Sequence, residues 1–253
     1  MRAILSVAAN TFRETVRERA LYNLVFFAII MTLSGLLLRD LSIRQDDKIV
    51  KDIGLAAMEV LGTIIAIFIG VGLVSKEIER RSLYPLLAKP VRREEFLLGK
   101  FLGLCFTLLV NVLVMAVGLY ATLLTSSRHP DPGLLKAIYA IYLGLVLIVA
   151  IALLFSSVTS AALAAVCAFA VVVVGRYSDV IRNMQQVTDR APRWLVLTLY
   201  YAVPNFQNFD IKDRVVYGDP IAWGTLGWVT LYAALYAGIA LVLAMVFFRR
   251  REL

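Results

Sequence analysis

A carboxylate, Glu59, interrupts an otherwise uncharged run of 22 residues, Ile53–Val74. An ionised carboxylate at the centre of a bilayer costs on the order of 3 kcal/mol, so a group kept there carries a proton, lines a polar path or pairs with a cation. Six positions separate Glu59 from Ile53, roughly 9 Å of helix, and candidate cations are Lys48, Lys51 or a group on a neighbouring span. Asn111, near the middle of a second apolar run, suits a bond to another helix, worth about 0.6 kcal/mol, or contact with a substrate. Other chemistry is poorly provided for. His129 is the sole histidine and sits in a turn sequence, His129-Pro130-Asp131-Pro132-Gly133, while Cys105 and Cys167 lie inside apolar runs. These residues cannot form a disulfide framework, a metal site or a nucleophile with its base. The phosphate loop G-x-x-x-x-G-K-[ST] is absent from the sequence, and Leu33-Ser34-Gly35 falls within a span rather than at a nucleotide site.

The densest set of interacting groups is Ser75–Lys100, with seven Lys/Arg and four Glu between two apolar runs. Pro90 and Gly99 divide it into two short helical pieces, since proline disfavours helix before it and glycine costs helix stability. Ser82 caps the first piece, leaving Pro85 in the first turn. Leu83, Leu86 and Leu87 then form a small apolar anchor among Glu77, Glu79, Arg80 and Arg81, the composition of a protein interface. A solvated loop with a few ion pairs is the competing reading.

These groups are positioned by a chain that is 60% apolar and 17% charged, with a mean hydropathy of +0.80. Soluble domains are about a quarter charged, so this is an all-α integral membrane protein. Its net charge of +8 sits beside apolar spans, which points to lipid headgroups and topology rather than nucleic acid.

The pattern predicts a single transmembrane domain over 1–253, opened by an amphipathic interfacial helix over 1–20 with Ile4, Ala8, Phe12 and Val16 on one face. No signal-peptide cleavage site follows it. Six spans are expected, at 21–38, 53–74, 101–124, 137–155, 161–175 and 221–248. The fourth and fifth share one uncharged run of 39 residues, roughly 58 Å of helix and near two hydrocarbon thicknesses of about 30 Å. Ser156–Ser160 supplies the turn between them. Segment 176–220 is polar with one apolar island, Trp194–Val203, too short to cross and suited to the outer interface. Gly70, Gly72, Gly99 and Gly103 provide small-residue spacings for close helix approach. Trp223, Trp228, Tyr232 and Tyr236 read as interface belt and helix packing.

The run Glu77-Ile78-Glu79-Arg80-Arg81-Ser82-Leu83, then Leu86-Leu87, Lys89-Pro90-Val91, Arg93 and Glu95-Phe96-Leu97-Leu98-Gly99-Lys100 resembles the cytoplasmic signature of type 2 ABC permeases. The likeness is greatest to the branch associated with multi-copper enzyme maturation. Arg81 stands where that family usually has glycine. The resemblance implies that 75–100 is a coupling helix seated in a cleft of a separate ATPase subunit, which binds ATP and Mg. It also implies re-entrant external helices before the last span and a turn like Pro204-Asn205-Phe206. Two permeases, identical or related, would pair in the membrane, with Glu59 and Asn111 at the translocation path or dimer seam.

Topology follows from charge. Lys/Arg number 14 on the side of both termini against 12 opposite, and Arg17, Arg19 and Arg249–Arg251 abut span ends, which places the termini in the cytoplasm of a cell's inner (plasma) membrane. The function the resemblance implies is the permease subunit of an ABC exporter, driving export or mechanical work on an external partner; the chain's domain over 1–253 is then a single transmembrane permease domain. The alternative is an ion-coupled secondary transporter using Glu59 as proton carrier, for which no matching inverted repeats are found. An intramembrane enzyme ranks below both.

Overall fold

Within a bilayer every backbone N–H and C=O has to be satisfied inside the chain, and the apolar runs meet that demand as helices. A computed structural model describes residues 2–15, 26–30, 46–79, 93–126, 132–178 and 203–250. The described helices are α1 (Arg2–Thr15), α2 (Asp46–Glu79), α3 (Arg93–Ser126), α4 (Gly133–Val158), α5 (Ala161–Arg176), α6 (Lys212–Tyr217) and α7 (Trp223–Arg250). A 3-10 turn covers Phe206–Phe209, residues 26–30 are also helical, and no strand occurs among the described residues.

Four of these helices are long and apolar enough to cross a membrane: Lys48–Gly72, Glu94–Leu124, Gly133–Val158 and Trp223–Phe248. Most of the span expected at 21–38 lies outside the described residues. The apolar window of α4 is 72% buried against 33% for α7, so α4 is the central helix and α7 lies at an edge. Glycines set the spacing around α4. A Cβ on Gly62 would strike the Leu145 side chain at 2.6 Å, and one on Gly70 would meet the Ala152 Cβ at 2.7 Å. Gly72, by contrast, faces open space, so it takes no part in the close approach expected of it.

The helices outrun the expected spans. α2 and α3 are each 34 residues and absorb both ends of the charged stretch: Ser75–Glu79 completes α2 and Arg93–Lys100 begins α3. Gly99 therefore lies within a helix and does not end one. The reason is packing: a Cβ there would meet the Ile4 carbonyl oxygen at 2.9 Å and the Val7 Cβ at 2.8 Å, so glycine's propensity cost is offset by the close crossing of α1. Gly103, one turn on, faces the Ala8 carbonyl oxygen and Thr11 in the same way.

The turn between α4 and α5 is narrower than Ser156–Ser160, comprising Thr159 and Ser160 alone. Ser156 and Ser157 remain helical and turn their hydroxyls to backbone carbonyls. The Ser156 hydroxyl donates across to the Val71 carbonyl of α2 at 3.2 Å.

Candidate functional site

The expected coupling surface begins on the last turn of α2, where Glu77 and Glu79 are helical. Arg80, Arg81, Leu83, Leu86 and Leu87 lie outside the described residues, as do the Ser82 cap and Pro85. The far side of that gap is built by α1 lying along the first half of α3. Thr11 and Thr15 are buried, Phe12 packs edge-on to Phe106 at 4.8 Å, and Gly99 and Gly103 let the backbones meet. The buried face of α1 is thus centred on Thr11 and Thr15, with Phe12 on its flank and Leu5 exposed, a small rotation from the expected Ile4, Ala8, Phe12 stripe. Lys100 is buried to 2% exposure, with its ammonium 4.9 Å from the Phe96 ring centroid.

The second site surrounds Glu59. Its side chain is 12% exposed, and both carboxylate oxygens are engaged: Arg176, at the end of α5, pairs with Oε1 at 2.5 Å, and Lys212, at the start of α6, pairs with Oε2 at 3.2 Å. Lys48 and Lys51 are not its partners. They stand eleven and eight residues back on the same helix, roughly 16 and 12 Å away along the axis, and Lys48 instead lies over the Tyr217 ring at 5.5 Å. Since α2 begins at Asp46, Glu59 falls near the middle of the apolar segment Lys48–Gly72, deeper than its distance from Ile53 suggests.

Two opposing helices explain how cations reach that depth. α5 has only 16 residues, roughly 24 Å, so its terminal Arg176 stops short of a full hydrocarbon thickness of about 30 Å. The segment after Val203 fills the remaining space. Asn205 accepts from the Gln207 amide through Oδ1 at 2.8 Å and so caps the 3-10 turn, while its own amide donates to the Tyr232 hydroxyl at 2.7 Å. Phe206 packs where Gly175 has no side chain, Phe209 sits over Gly144 of α4, and Ile211, Val215 and Val216 are buried. The segment therefore turns back into the bundle.

Asp210 completes the cluster, 3.8 Å from Lys212. Burial raises the Asp210 carboxyl above its ordinary range, and the nearby cations only partly offset this. Burial would lower Lys212, but Glu59 first and then Asp210 carry it above the ordinary lysine value. At 3.8 Å the Asp210 pair is loose, so the charge of Lys212 is committed mainly to Glu59.

Asn111 is buried in α3 at 4% exposure and is not among the groups that bind Glu59. Among the described residues no group of three or more His, Cys, Asp or Glu is placed to hold a metal. A groove of about 590 Å³ between α4 and α7 is lined by Leu135, Tyr139, Leu226 and Thr230, with Lys136 tied down at its rim by the Ile221 carbonyl at 2.7 Å and the Trp223 ring.

Residues 5–177, which run from α1 through the end of α5, match the family described as ABC-2 family transporter protein. The chain belongs to the ABC-2 transporter family. It is thus a type 2 ABC permease, a membrane subunit with several spans, and such permeases generally work with an ABC ATPase subunit. A search of curated proteins found no match to the chain. The match ends one residue beyond Arg176, so the family region of this permease contains Glu59 and Arg176, and Lys212 follows it.

Sequence reasoning singled out Glu59 but missed Arg176, Lys212 and the inward turn of Phe206–Tyr217. The available signals were the shortness of the fifth apolar run and the apolar set Phe206, Phe209, Ile211, Val215 and Val216 among polar neighbours.

Proposed function

We propose that this permease is the six-span membrane subunit of an exporter, working as a homodimer or with a related permease, and that it docks a separate ATPase subunit through Ser75–Lys100. ATP and Mg bind on that partner. Closure of the ATPase pair pushes on the coupling segment, and the spans respond as rigid bodies. Both termini lie in the cytoplasm of the inner membrane, and the segment 176–220 faces outward, where it releases substrate or acts on an external partner.

One observation carries this reading: the charged stretch within the family match is bounded by two unbroken 34-residue helices, α2 and α3, able to carry a push received between them into the bundle. The engagement of both Glu59 oxygens by cations favours a fixed structural charge and speaks against a proton carrier, and thus against secondary transport.

Affinity capture from mild detergent tests the assignment. The wild-type chain is expected to bring down an ATPase subunit, and Leu86→Asp or Glu79→Arg to lose it while remaining folded. Retention of the ATPase by both variants removes the coupling role from this stretch.

A further inference from the structure

The geometry points to Glu59, Arg176 and Lys212 as a joint that makes the inward-turned segment Phe206–Tyr217 travel with α2, so that movement started at the coupling stretch reaches the opposite end of the bundle. This rests on the coupling reading above. α2 contains no proline, and twenty residues, roughly 30 Å of continuous helix, separate Glu59 from Glu79 at the coupling end. The segment is held in two different ways. Against α4, α5 and α7 it makes largely apolar contacts: Phe209 over Gly144 and beside Tyr232, and Phe206 against Gly175. These contacts fix the segment by shape rather than by directed bonds.

Toward α2 the hold is electrostatic and directional. Lys212 reaches Oε2 of Glu59, and Lys48 of the same helix lies over the Tyr217 ring at the other end of α6. Glu59, the most enclosed of the three with its side chain 12% exposed, cannot leave Lys212 without losing compensation for its own burial. Displacement of α2 relative to α4 therefore draws α6 along with α2 and shears the apolar contacts. Arg176 extends the joint to the end of α5. Glu59 is thus a positioning residue for the opposite end of the permease, not a group that touches substrate.

Hydrogen exchange of the permease with its captured ATPase subunit in lipid nanodiscs, with and without a non-hydrolysable ATP analogue, tests this. In the wild type the analogue is expected to change exchange across 206–217 at least threefold. In Glu59→Gln the ATPase is still captured but that response is lost. Lys212→Gln, which leaves the Glu59–Arg176 pair intact, is expected to lose it too and covers the case in which Glu59→Gln does not fold. Arg214→Gln, an exposed change on α6, keeps the wild-type response. A full response in Lys212→Gln, or none in the wild type with the ATPase bound, overturns the joint alone. Absence of the ATPase from the wild-type preparation overturns the coupling reading, and the joint with it.

Discussion

Where α1 crosses α3, backbones meet because Gly99 and Gly103 have no side chains; where α2 meets α5 and α6, charges meet because Glu59, Arg176 and Lys212 share one half-buried site. The first contact depends on volume, and any added carbon disturbs it. The second depends on charge balance and tolerates changes of shape better than changes of sign. A membrane protein gains little from burying apolar groups against lipid, so close packing and paired polar groups are the means left to hold helices in register. This permease uses one at each of these two contacts.

The largest effect is expected of Glu59→Lys, which sets a third cation beside Arg176 and Lys212. We expect a loss of at least about 3 kcal/mol, seen as a collapse of the folded fraction in detergent melting curves. Gly103→Leu attacks the other contact. A Cβ there meets the Ala8 carbonyl oxygen at 2.7 Å, a backbone atom that cannot swing aside, so α1 is expected to detach at a cost of about 2 kcal/mol and become open to proteolysis. A smaller effect separates two neighbouring glycines of α2. Gly70→Ala, which strikes the Ala152 Cβ, should cost about 1 kcal/mol, and Gly72→Ala, in open space, should stay within about 0.5 kcal/mol.

Asp210 gives the smallest effect and the sharpest test of sign. Burial raises its pKa above the ordinary 3.8, so the folded chain holds that proton more tightly than the unfolded chain. Its contribution is most favourable below the ordinary value and declines as pH rises through the raised one. At neutral pH the ionised form is a slight burden. Asp210→Asn should therefore leave melting unchanged or raise stability by a few tenths of a kcal/mol, an effect limited by the exposure of the side chain and absent at low pH.

The long apolar runs were legible as helices because composition alone decides them in lipid, and the turn at Thr159–Ser160 was found within two residues of its place because a 39-residue uncharged run has to fold back once. Gly99 reads as a helix breaker and acts as a crossing point because a glycine's local cost and its value in a crossing have opposite signs, and the crossing depends on α1, nearly a hundred residues earlier. The partners of Glu59 are legible only in kind: of the alternatives, a group on a neighbouring span holds, in Arg176 at the end of α5, while Lys48 and Lys51 do not and Lys212 lies 153 positions away. The helical rise already placed Lys48 and Lys51 out of reach, and the short fifth run hinted that a cation would end inside the bundle. The Phe206–Tyr217 segment, with its mixture of charges and apolar residues, showed its role only once Gly144 and Gly175 were seen to leave room for two phenylalanine rings.

Movement at the coupling stretch can reach an outward-facing segment only if Ser75–Lys100 and Phe206–Pro220 face opposite sides of the membrane. Single cysteines at Ser82 and Asp219, placed in a background with Cys105→Ala and Cys167→Ala, test this in intact cells with a membrane-impermeant maleimide. We expect Asp219→Cys to label at once and Ser82→Cys to label only after permeabilisation. Labelling of Ser82→Cys from outside intact cells would contradict the account.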